Sequence, residues 1–199
     1  MRSIGFRLFF LMAFALFAFL PGCQKYDQLV EYNANCDAAW ADIQANLQRR
    51  ADLVPNLVAA VKGSAAHEEK TLKEVSDARA AATSINLSAD DLSDPVKMAA
   101  FQKVQDNLKG SLSRLLAVQE AYPDLKANAA FQGLQVQLEG TENRILRSRE
   151  KYNDAVRQYN AELAKIGGKA VNQVTGKTFL PRAYFTADAS SQTAPVVSF

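Results

Sequence analysis

Seven polar or charged side chains stand in or beside otherwise apolar helical stripes: Arg50, Asp52, Asn56, Glu139, Glu142, Asn143 and Arg144. Carboxylates among guanidinium groups can bind a polar ligand, or neutralise one another where burial makes a lone charge costly. The spacing predicts that Arg50 or Arg144 pairs with Glu142 or Asp52 and fixes the register of neighbouring helices. Arg50, Asp52, Asn56, Glu142 and Arg144 form the candidate cluster, and a ligand site at the same residues is the alternative. Chemistry beyond pairing has little material. His67 is the single histidine, so zinc sites built from several histidines and diiron sites with two Glu-x-x-His motifs are excluded. No Gly-x-Ser-x-Gly elbow occurs, and one histidine would have to serve any triad. Gly176-Lys177-Thr178 resembles the end of a phosphate-binding loop, but Val171 stands where the first glycine belongs. The expectation is a protein that is not an enzyme and holds no cofactor or metal.

Two cysteines carry different chemistry. Leu8 to Leu20 is an unbroken apolar run behind Arg2 and Arg7. Thirteen helical residues span about 20 Å, short of a hydrocarbon core of about 30 Å. Such a run, with a small residue behind it, reads as a secretory signal. It ends in Leu20-Pro21-Gly22-Cys23, which resembles a lipoprotein cleavage box. That resemblance implies a Cys23 thioether-linked to diacylglycerol as the mature N-terminus; an uncleaved anchor is the alternative, and both tether the domain to a membrane. By the sorting rule for lipoproteins of two-membrane bacteria, Gln24, not being aspartate, favours the periplasmic face of the outer membrane. Cys36 falls on the apolar stripe of the next helix. It reads as a buried packing residue, with a reactive thiol as the alternative.

These residues need elements to position them. Tyr26, Leu29, Asn33, Cys36, Trp40, Ile43, Leu47, Arg50, Val54, Leu57 and Val61 follow steps of three and four, a heptad-like period suited to shallow helix packing. Leu72, Val75 and Arg79 resume it. Pro55 predicts a kink or break, with Asp52 able to cap a restarted helix. Residues 84–94 are polar and aperiodic and read as a loop. Asp94-Pro95 starts a helix carrying Phe101, Val104, Leu108, Leu112, Leu115 and Leu116. A last helix begins near Asn128, with Phe131, Leu138, Ile145, Tyr152, Tyr159 and Ile166 recurring every seven residues until Gly167-Gly168. The fold class predicted is all-α, an elongated antiparallel bundle of three to four long helices. The layout is a signal peptide over residues 1–22, lipidated Cys23, a helical domain over 24–187 and a flexible tail over 188–199.

Three stretches carry a family resemblance. They are Ala39 to Ile43 with Leu47 to Val58, then Val61-Lys62-Gly63 with Ala66-His67-Glu68, then Leu115 to Asn128 with Leu138 to Ile145 and Tyr152-Asn153. Together they resemble the signature blocks of the LemA family. Lys165-Ile166-Gly167-Gly168 departs from the Phe-Pro pair of many members, and Ser64 from a frequent aromatic. The resemblance implies a membrane-tethered bundle of long helices without established enzymatic activity, often encoded near membrane proteases or other envelope proteins.

Charge narrows the partners. Cleavage at Cys23 removes Arg2 and Arg7 and leaves 21 basic and 21 acidic residues, so bulk nucleic-acid binding has no electrostatic support. Residues 144–182 hold nine basic against three acidic residues, a modest basic end that reads as a solvated face or a contact for anionic headgroups. The function expected is an exported, membrane-anchored, non-enzymatic module that scaffolds or modulates other envelope proteins, with an unidentified membrane or periplasmic protein partner. A module binding a small ligand or cell-wall polymer is the alternative.

Overall fold

Apolar residues at heptad spacing can be buried only if helices of similar length lie side by side. The computed structural model describes the backbone of residues 2–65, 68–175 and 179–186, and the side chains of 24–65, 68–174 and 179–186. The side chains of the signal segment and Cys23 therefore lie outside the described residues, as do His67 and the tail over 188–199. Among the described residues the regular elements are α1 (Arg2–Ser64), α2 (Glu69–Ser84), α3 (Pro95–Ala117), a short α4 (Pro123–Lys126), α5 (Ala129–Ala164) and α6 (Ile166–Thr175). The fold is the all-α bundle expected. No helix among the described residues is long and apolar enough to cross a membrane.

α1 and α5 run antiparallel as the long seam of the bundle. Lys25 meets Glu162 at 2.9 Å, Asp42 meets Lys151 at 2.7 Å and Arg50 meets Glu142 at 3.1 Å, one number rising as the other falls. α2 folds back along α1, and α3 folds back along α2, where Arg114 reaches Glu74 at 3.4 Å. Local signals set the helix starts. The Asp94 carboxylate accepts from the Val96 and Lys97 amides with Pro95 in the first turn, and the Asn128 side chain accepts from Ala130 and Phe131.

Three expectations change. α1 is helical through Pro55 to Ser64 and does not break. Proline deprives the Ala51 carbonyl, four residues earlier, of its usual donor. Arg79 of α2 supplies the replacement, its Nε lying 2.9 Å from that oxygen. Asp52 caps no new helix; its exposed carboxylate accepts from Gln48 at 2.7 Å. Gly167-Gly168 does not end the helical chain either. α5 stops at Ala164, Lys165 is extended, and both glycines lie in the first turn of α6. Gly168 is needed for close approach, because a Cβ there would stand 2.6 Å from the Glu162 carbonyl oxygen.

The third change is an extended strap, residues 179–186, inside what reads as helical domain. Asn160 both donates to the Arg182 carbonyl and accepts from the Arg182 amide, at 2.9 Å each. Asn153 does the same for Phe185 at 2.7 and 2.8 Å, and Asn172 for Phe179 at 3.0 and 2.9 Å. Each amide imitates a peptide group of a neighbouring strand. Tyr152 and Tyr159 donate to the carbonyls of Ala183 and Leu180 at 3.0 Å. The dipeptide Tyr-Asn thus recurs after seven residues of α5 and meets sites three residues apart on the strap. Seven helical residues rise about 10.5 Å and three extended ones about 10 Å, so the two ladders stay in step.

Replacing Asn160 by alanine leaves both backbone groups of Arg182 without that partner, a loss of about 1–3 kcal/mol for groups shielded from water. Hydrogen exchange should show the Arg182 amide exchanging roughly tenfold faster or more, with the mid-helix amides of α1 unchanged. Unchanged protection at Arg182 would mean that the strap is held by its side chains alone.

Candidate functional site

The bundle core is divided in two. One apolar cluster joins Leu29 through Leu47 to Phe101 and to the Ile145–Leu163 part of α5; the other joins Leu53 through Val61 to Leu108–Leu115, Phe131 and Leu138. Between them lies a polar layer. The Arg50 side chain, only 3% exposed, donates from Nη1 to Glu142 at 3.1 Å. Its Nη2 donates to the Gln105 side-chain oxygen at 2.7 Å and to the Gln105 carbonyl at 3.2 Å. Gln105 in turn donates to the Ala82 carbonyl, near the end of α2, at 3.0 Å. One guanidinium therefore links α1, α5 and α3 directly and α2 through one amide.

Of the candidate residues, the structure brings Arg50 and Glu142 together and leaves the others outside. Asp52, Asn56 and Arg144 are exposed, because each sits a position or two off the buried stripe. Asn46 adds a contact across the same seam, donating to Ser148 at 3.0 Å. Gln105 was missed. Its signal was spacing: Phe101, Gln105, Leu108, Leu112 and Leu115 follow strict steps of four and three, whereas Val104, read as part of the stripe, is only half-buried.

Beside the layer opens a cleft of about 380 Å³ between α1, the end of α2 and α3, lined in part by Gln44, Gln48, Asn86, Phe101 and Gln105. Its amides are already engaged. Gln44 donates to Asn86 at 3.1 Å, Gln48 to Asp52, and Gln105 to Ala82. Cys36 is buried and unpaired, and burial pushes its thiol up to about 11. It therefore stays protonated and unreactive near neutral pH. Around it Arg182 reaches from the strap to Asn33 at 2.9 Å and Asp37 at 2.7 Å on α1. Glu68, next to His67, accepts from Tyr122 at 3.1 Å and ties the far-end turns together. Among the described residues no group of three or more His, Cys, Asp or Glu side chains could hold a metal ion.

Residues 39–199 match the sequence model of the LemA family. The chain belongs to the LemA family. Compared with curated proteins, it matches none. The LemA match takes in α1 from Ala39, every later helix and the strap, so both the polar layer and the Tyr-Asn ladder fall within the family region.

The two partners of the central pair are unequally buried, Glu142 being 29% exposed. Glu142→Ala strands a buried cation with neutral acceptors and should cost about 3–5 kcal/mol. Arg50→Met leaves a carboxylate that can reach water and an amide short of one donor, and should cost about 1–2 kcal/mol. Urea unfolding midpoints of the two variants test the order. Equal losses, or an unchanged midpoint for Glu142→Ala, contradict it.

Proposed function

We propose that this LemA-family chain is an exported, membrane-tethered, non-enzymatic module that scaffolds or modulates other envelope proteins. The observation that carries this reading is that its buried charges are paired within the bundle, although Arg50 Nε, Arg182 Nη1 and Trp40 Nε1 find no hydrogen-bond partner among the described residues. Arg50 bonds both Glu142 and Gln105, Gln105 bonds the Ala82 carbonyl, and Arg182 bonds Asn33 and Asp37. A rod whose buried charges are paired internally suits a spacer or platform better than a reaction centre. The Cys23 signal supports the tether, several acyl chains at about 0.8 kcal/mol per buried methylene holding a protein firmly on a bilayer. The second reading, a site for a small ligand or cell-wall polymer, rests on the 380 Å³ cleft, where amides surround Phe101.

In-cell crosslinking followed by affinity purification separates the two. The native chain is compared with a Cys23→Ser form exported by a non-lipid signal. A membrane protein that enriches only with the anchored form is the expected result. The same soluble molecules copurifying with both forms would favour the cleft reading and contradict the scaffold.

A further inference from the structure

We infer that α6 lies against the membrane surface and seats the anchored end of the bundle on it. The two large apolar side chains most open to solvent among the described residues, Ile166 at 89% and Val174 at 80%, lie at this end with Leu180 at 54%; Val96 of α3 follows at 77%. Ile166, exposed Ala170 and Val174 are spaced i, i+4, i+8 and form one line along the outer side of α6. Val171 and Gly168 face inward and are buried. A stripe of this kind turned to water on a ten-residue helix is unfavourable unless something covers it.

Position and charge identify the covering surface. Gly167 packs on the chain leading to the anchor: a Cβ there would stand 3.4 Å from the Lys25 Cγ. Lys25 is two residues past Cys23, and its ammonium meets Glu162 at 2.9 Å, which also binds Lys165 at 2.6 Å. Phe179, at the start of the strap, packs edge-on against Tyr26 at 6.0 Å. The exposed stripe and the exit of the anchor therefore share one end of the molecule. Lys165 and Lys169 are exposed beside the stripe, the arrangement of an interfacial helix whose apolar side enters the headgroup boundary while its lysines meet anionic lipid. The far half offers a contrast. Val136 of α5 is also 67% exposed, but it lies far from the anchor.

The inference rests on the reading of the N-terminal segment as a membrane anchor, and the test separates the two. The full lipid-bearing chain is reconstituted into vesicles of phosphatidylethanolamine and phosphatidylglycerol containing brominated lipid. Val174→Trp is compared with Val136→Trp; Trp40, buried in the core, gives the same background in both. Flotation reports the anchor, and quenching reports α6. Expected is co-flotation of both variants with several-fold stronger quenching at position 174 than at 136. Co-flotation with equal, weak quenching would overturn the seating of α6 and leave the anchor standing. A chain that fails to float would overturn both.

Discussion

A guanidinium 97% withdrawn from water is the constraint on which the rest of the bundle turns. Arg50 cannot be left unpaired without a cost of several kcal/mol, and its partners come from two other helices, with a third reached through Gln105. Apolar seams do not discriminate in this way. α5 repeats its large apolar residues every seven positions, and α1 follows the same period. A slip of one heptad, about 10.5 Å, would still set Leu and Ile against apolar neighbours. It would also remove Glu142 from Arg50. A layer of this kind can act as a registry device more than as a source of net stability, because desolvating its charges offsets much of their attraction.

Given that register, the remaining contacts follow. The α1–α5 alignment sets Asp42 against Lys151 and Asn46 against Ser148. It also turns the Tyr-Asn repeats of α5 toward the returning chain, and the strap is read by its backbone as if another strand lay beside it. Arg182 then passes from the strap to α1 and closes the circuit at Asn33 and Asp37. A long rod is fixed near one end by the strap ladder, at mid-length by the polar layer, and at the far end by Tyr122 on Glu68. Ties of this kind at three levels hold the described helices in one alignment along the rod.

Much of this was legible from residue spacing. The stripes of α1, α3 and α5 are heptad patterns, and an arginine on such a stripe announces a buried partner. The caps at Asp94 and Asn128 are local signals that depend only on the next few residues. What was not legible depended on distant chain. Pro55 ordinarily ends or bends a helix, and nothing near it in sequence tells that Arg79 will bond the freed carbonyl. The strap has no hydrophobic period at all. Its fixing groups are asparagine amides on helices, which look in sequence like ordinary solvated residues, and only the recurrence of Tyr-Asn after seven positions hinted at a ladder. Gly167-Gly168 carried a true message about backbone geometry, but the message was close approach to α5 and not termination.

The most direct test of the registry claim replaces the whole layer with apolar side chains. In the variant Arg50→Leu, Gln105→Leu, Glu142→Leu, no charge is left unpaired, so stability should be kept or increased. Pulsed dipolar spectroscopy between spin labels on the exposed sides of α1 and α5 then reads their alignment. The account predicts one narrow distance in the native chain and a second population in the variant, displaced by about 10 Å along the seam. A single narrow distance identical in both proteins would contradict it, and would assign the register to the apolar core alone.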